Sequence, residues 1–474
     1  MKRIVLAAAL LLLAGSAASA KVTLPHVFSD NMVLQQHTQA AFWGTAQAGK
    51  KVTISPSWTK ARTVVTADSE GRWKARVQTP EAGGPYEITI SDGEKLTLGN
   101  ILVGEVWFCS GQSNMQMPVR GFPAQPVEGS LDVILGARKS APIRMCTVKN
   151  ATSPTEKTDC NCNWQENTPD AVAATSATAY FFARQLQATL DVPVGILIAH
   201  WGGTRIESWM SREALAALYP ETRFSHLDKP VKDMHRYPCT LFNAMVAPVI
   251  PYTVKGWIWY QGEANRHDPP RYVRLMEGYA RMMRERWEAP DMPFYYVQIA
   301  PYRYEDPVQT KGALLQEAQE KALDVIPNSG MATTLDVGDC DCIHPARKQQ
   351  VGQRLAALAL CHTYGMTAIK ADAPRYTGFT VEDGKAILKF KVDGQGLAPL
   401  GHELKGFEVA GEDRVFHPAE AKIAKDRKSV EVTIPEGVGT PASIRYAFHN
   451  FAEGNLTSTW NIPAGPFRTD DWPE

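Results

Sequence analysis

Between residues 100 and 370, predominantly apolar runs alternate with stretches whose apolar residues recur at helical spacing, and this alternation restricts the fold more than any other feature. The runs are 101–109, Val194–Ala199, Val254–Tyr260, Phe294–Ile299 and Met331–Leu335. A strand with one wet face alternates apolar and polar side chains, so runs of this kind predict strands covered on both faces. Between them, segment 271–287 places Tyr272, Leu275, Met276, Tyr279, Met282, Met283 and Trp287 on one helical face, and 312–323 behaves similarly. Strand and helix in turn imply a parallel α/β sheet with helices on its faces.

The flanks follow a different period. Trp73, Ala75 and Val77 alternate with charged or polar neighbours, as do Tyr86, Ile88 and Ile90, and Asp92-Gly93 marks a hairpin turn before Leu96 and Leu98. Residues 21–99 therefore read as an N-terminal β-sandwich-like domain and 100–370 as the α/β domain. Alternation returns at Leu388, Phe390 and Val392 and at Val430, Val432 and Ile434, so 371–474 reads as a C-terminal β domain. A chain of 474 residues is more than one core normally organises.

Residues 1–20 carry Lys2 and Arg3, a short apolar stretch and Ala18-Ser19-Ala20, the pattern of a secretory leader cleaved near Ala20. The expected location is periplasmic or extracellular, and no run approaches the ~20 apolar residues of a spanning helix. With 50 basic and 50 acidic residues, the balance points to neither nucleic acid nor an anionic membrane as partner. Eight cysteines include the close pairs Cys160/Cys162 and Cys340/Cys342. Zinc sites favour wider spacing such as C-x2-C, so disulfides or buried thiols are expected, with no metal and no cofactor.

In an open α/β sheet, ligands gather beyond the carboxyl ends of the strands. Gly111-Gln112-Ser113-Asn114 follows the first run, Trp201-Gly202-Gly203-Thr204 the second and Gln261-Gly262-Glu263-Ala264-Asn265 the third. Asp341-Cys342-Ile343-His344 lies just past the fifth. One rim thus gathers the parts of a serine hydrolase. Ser113 is the nucleophile, His344 the base, and Asp341 the carboxylate that holds the imidazole. Backbone N–H groups of Ser113 and the Gly202-Gly203 turn, with the Asn265 amide, would hold the oxyanion. Pro345 would open the following helix, expected over 346–360. Ser110 lies nearer the strand and is the weaker nucleophile, and the Gly-x-Ser-x-Gly elbow is absent because Met115 occupies its last position.

Taken together, Gly111-Gln112-Ser113-Asn114-Met115, Trp201-Gly202-Gly203-Thr204 with Ile206-Glu207-Ser208-Trp209, Trp259 to Asn265, and Asp341 to His344-Pro345 resemble the sialate O-acetylesterase family of SGNH hydrolases. Leu24-Pro25, Phe28 to Gln35 and Phe242 to Pro248 extend the resemblance over most of the chain. It implies a flavodoxin-like three-layer catalytic domain using Ser113, His344 and Asp341, with Gly203 and Asn265 in the oxyanion hole. It also implies removal of O-acetyl groups from sugars without a metal. Gln112, Arg205, Gln261 and Glu263 are the expected substrate contacts, helped by Trp201, Trp259, Tyr260, Arg266 and His267, since rings stack on sugars and polar tips select hydroxyls. O-acetylated sialic acids are the expected substrate. Acetylated xylan or xyloglucan is the rival, and an inert carbohydrate-binding protein the reading from another class. An imidazole base must be neutral, so activity should fall below its pKa, ordinarily near ~6.5 and raised by contact with Asp341.

Overall fold

The computed structural model describes residues 21–229 and 231–473, and the leader expected at 1–20 lies outside the described residues. The central sheet has six parallel strands: β1 (Lys95–Gly111), β2 (Ile143–Thr147), β3 (Val194–His200), β4 (Gly256–Tyr260), β5 (Phe294–Val297) and β6 (Ser329–Ala332). They lie in the order β6-β5-β4-β1-β3-β2, and Trp164–Glu166 adds an antiparallel edge beyond β2. Without β2 the order is the 2-1-3-4-5 of flavodoxin-like sheets. The five apolar runs each contain part of one strand. The short strand β2 is not among the apolar runs, because Arg144 and Thr147 break its apolar character.

Both faces of this sheet are covered, which is why its strands lack alternation. Trp107, Cys109, Ile196, Ile258 and Tyr295 point to one side, packed with Phe182, Val351 and Leu355 of the helices α2 (Ala177–Leu190) and α5 (Lys348–Leu358). Phe108, Leu197, Trp257, Trp259 and Tyr296 point to the other. There they meet Leu275, Met276, Tyr279 and Met283 of α3 (Pro269–Arg286) and Leu315 and Ala322 of α4 (Lys311–Val325). Each of these side chains is fully buried, a gain of roughly 1.5–3 kcal/mol for a large apolar group.

The N-terminal region is joined to this layer by a continuous strand. β1 pairs with Gly83–Ser91 through the hairpin at Asp92-Gly93 and, farther along, with β3 and β4. The boundary expected at 99–100 thus falls inside a single strand. Gln39–Thr45 pairs with Arg72–Gln78, whose buried residues Trp73, Ala75 and Val77 keep the expected alternation. At the other end, Arg375–Glu382, Lys385–Lys391, Ser429–Thr433 and Ala421–Ile423 form one antiparallel sheet, and Phe407–Ala410 and Ser443–Tyr446 belong to a second. Among the described residues no helix is long and apolar enough to cross a membrane.

Candidate active site

The chain leaves β1 for β2 and β3 on one side and later β4 on the other, so a crevice opens beyond the carboxyl ends of β1 and β4. Gly111 makes the closure possible. Its φ is 149°, and a Cβ there would sit 2.2 Å from the Tyr260 carbonyl oxygen. Gln112 N–H then donates to that same oxygen at 3.0 Å. The chain turns at once into the single helical turn α1 (Ser113–Gln116), which sets Ser113 at its head. Ser110 is fully buried within the strand.

Asn114 fastens this turn to the rest of the rim. Its Nδ2 donates to Glu263 Oε1 at 2.7 Å and to the Ile343 carbonyl at 3.0 Å, and its Oδ1 accepts from Lys348 Nζ at 2.5 Å. Ser113 and His344 are therefore the chain neighbours of two residues in direct contact. Among the described residues, neither Ser113 Oγ nor His344 Nε2 has a hydrogen-bond partner. Burial lowers the Lys348 ammonium to about 7, and burial raises Glu263 above the usual carboxylate range. Lys348 starts α5, so the helix begins three residues after Pro345 and not at it.

The groups expected to hold an oxyanion are the N–H groups of Ser113 and of the Gly202-Gly203 turn and the Asn265 amide. The Ser113 N–H heads its helical turn without an intrahelical acceptor. Gly202 N–H is already bonded to Gln116 Oε1 at 2.7 Å, whereas Gly203, at φ 70°, has no such bond among the described residues and borders the same cavity as Ser113. A Cβ at Gly202 would lie 3.2 Å from that of Ser113, so the glycine permits the close approach. Asn265 Oδ1 accepts from Ile206 N–H and from Gln261 Nε2, and Nδ2 donates one hydrogen to Glu207 Oε2 at 2.9 Å. The second Nδ2 hydrogen has no acceptor among the described residues.

Asp341 lies apart from the imidazole. Asp341 N–H and Cys342 N–H both donate to Asp339 Oδ1, a turn that directs the Asp341 side chain outward. Its carboxylate is 77% exposed and pairs with Arg303 Nη1 at 3.1 Å. His344 Nδ1 instead lies 2.7 Å from Gln125 Oε1. Burial, followed by the charge of Lys348, lowers the His344 pKa to about 4. All eight cysteines are free thiols here, Cys340 and Cys342 included.

The cavity in front of Ser113 has a volume of about 410 Å³ and is bordered by Gln112, Gly203, Glu263, Tyr302 and Tyr304. Of the expected substrate contacts, Arg205 is exposed on the rim. Gln112 borders the cavity, but its Oε1 faces the N–H groups of Gly262 and Ala264. Gln261 is fully buried and bonded to Thr204, Asn265 and Tyr272, so it supports the rim from behind and does not face the cavity. Trp259 and Tyr260 are likewise core residues, because they belong to β4. Trp201 stacks on His235 with centroids 4.6 Å apart, and Arg266 lies over Tyr304. Sequence reasoning missed Gln125, Lys348, Arg303, Tyr302 and Tyr304. Gln125 and Lys348 lie away from the strand ends, Tyr302 to Tyr304 follow β5 without a recognised motif, and only the fold shows them converging.

The fold is that of a carbohydrate esterase. The structure superimposes on a crystal structure of a carbohydrate acetylesterase from Xanthomonas citri with a TM-score of 0.86 and 32% identity, covering 95% of this chain and 100% of that one. Residues 103–361 match the family described as carbohydrate esterase, sialic acid-specific acetylesterase, and the chain belongs to that family. It is 27% identical to the sialate O-acetylesterase of Mus musculus, over 93% of either chain. It is 27% identical to that of Homo sapiens as well, over 89% of this chain and 86% of the human one.

Proposed function

We propose that the protein is a secreted serine esterase that removes O-acetyl groups from sugars, with O-acetylated sialic acids as its substrates. The observation that carries this reading is the adjacency of Ser113 to the His344 segment, fixed by the 3.0 Å bond from Asn114 to Ile343. His344 Nε2 takes the proton of Ser113 Oγ as the serine attacks the acetyl carbonyl. The resulting oxyanion is met by the N–H groups of Ser113 and Gly203 and by the remaining hydrogen of Asn265 Nδ2, each of value only as charge develops. The imidazolium then protonates the departing sugar oxygen, and water releases acetate by the same steps in reverse order. Proton transfer in this scheme needs the serine and the imidazole, while Asp341 stands on Arg303.

The names of the mammalian relatives support the choice of sialic acids. So does exposed Arg205 on the rim, a cation suited to a sugar carboxylate. Secretion rests on the leader pattern of residues 1–20. Acetate release from a panel of acetylated sialosides and xylo-oligosaccharides, with 4-nitrophenyl acetate as a small ester, tests the reading. Release from the sialosides that disappears in Ser113→Ala is the expected result. Release from xylo-oligosaccharides alone would replace the substrate but keep the chemistry, and undiminished hydrolysis by Ser113→Ala would end the scheme.

A further inference from the structure

A loop clamps the His344 ring at its Nδ1 edge. Phe122 N–H donates to the Gln125 carbonyl and Gln125 N–H to the Phe122 carbonyl, each at 3.0 Å, so residues 122–125 close on themselves. Gly121 permits this with φ 83°, because a Cβ there would lie 2.5 Å from the Gln125 carbonyl oxygen. The loop is fixed to the histidine's own segment by a bond of 2.9 Å from Glu128 N–H to the Ala346 carbonyl. From it, the Phe122 ring meets the imidazole edge-on with centroids 5.3 Å apart, and the Gln125 amide oxygen reaches Nδ1. The expected carboxylate is held elsewhere, by Arg303.

We propose that Gln125 is the positioning residue of His344, a neutral acceptor on Nδ1 that keeps Nε2 free to take the proton of Ser113. This rests on the assignment of His344 as the base. An amide oxygen accepts the Nδ1–H and so fixes the tautomer whose Nε2 carries the lone pair. When Nε2 takes the serine proton, both imidazolium N–H groups are engaged, one by Gln125 Oε1 and the other by the departing sugar oxygen. Unlike a carboxylate, the amide adds no negative charge, so it leaves the low pKa of the buried ring in place.

The charged groups around the ring are Lys348 on α5, Glu263 behind Asn114, the Asp341–Arg303 pair at the solvent side, and Arg120 and Glu128 at the ends of the clamp. None of these is altered by substitution at Gln125, which makes the pH profile a direct probe. In the full-length enzyme, Gln125→Glu puts a carboxylate on Nδ1 and should raise the acidic limb of kcat/KM by at least about one pH unit, with activity kept above the limb. Gln125→Ala should lower kcat at least about tenfold with little change in KM. A merely structural role would lower Tm in both variants and leave the limb where it was, and that result overturns the proposal. So does a limb that falls in Asp341→Asn while both Gln125 variants keep the parent profile, since the position would then belong to Asp341. A Ser113→Ala control separates these outcomes from failure of the esterase reading, because residual activity independent of Ser113 would fail that reading whatever Gln125 does.

Discussion

At the scale of single residues, the proposed mechanism makes the environment of His344 set the working pH. An exposed imidazole would lose its proton near ~6.5, and a carboxylate on Nδ1 would move that upward. Here burial is the larger influence and the Lys348 charge the smaller, and both favour the neutral ring, taking its pKa to about 4. The proposed base acts when neutral, so kcat/KM should be level through weakly acidic pH and fall only as pH drops through about 4. A pH–rate profile on 4-nitrophenyl acetate checks this, and an inflection at 6.5 or above would refute it. The sequence made Ser113, His344 and Asn265 visible because each sits in a short polar block after an apolar run. It could not show which acceptor reaches Nδ1, because that depends on Asp339 turning Asp341 toward Arg303 and on a Gly-Phe-Pro loop without periodicity.

At the scale of elements, the reading of strands and helices succeeded where burial is two-sided or strongly amphipathic, as in β4 and α3. It placed the start of α5 at Pro345, whereas the helix starts three residues later, at Lys348, which enters the interior. That entry matters because Asn114 joins three segments: the turn after β1, the block after β4 and the head of α5. Replacing Asn114 by Ala would leave Glu263, the Ile343 carbonyl and Lys348 without this partner. A buried polar group left unpaired costs about 1–3 kcal/mol, so Asn114→Ala should destabilise by at least about 2 kcal/mol. Urea unfolding measures this through the midpoint, and kcat should fall in the same variant under conditions where it remains folded. A midpoint within error of the parent protein would show that the three segments hold their places without the amide.

At the scale of the whole molecule, the flanking β regions differ in how they meet the α/β layer. The N-terminal region shares β1 with it, a continuity hidden from the sequence because the apolar pattern changes within that strand near residue 100. The C-terminal region instead grips a loop of the site. Asn450, 1% exposed, accepts from Gly312 N–H at 2.7 Å and donates to the Asp306 carbonyl at 2.8 Å, while its own carbonyl accepts from Tyr302 N–H. The loop so held carries Tyr302 and Tyr304 to the cavity before Ser113. Loss of one such bond is worth about 0.5–1.5 kcal/mol, which predicts a KM for acetylated sugars raised roughly threefold to tenfold in Asn450→Ala. The proposed nucleophile and base are not touched by this change, so kcat on 4-nitrophenyl acetate, too small to need the tyrosines, should stay within about twofold. Steady-state kinetics on both esters separates the possibilities. A parallel fall in kcat on the two would mean that the C-terminal region supports the catalytic centre itself, and an unchanged KM for the sugar would mean that the loop keeps its place without the latch.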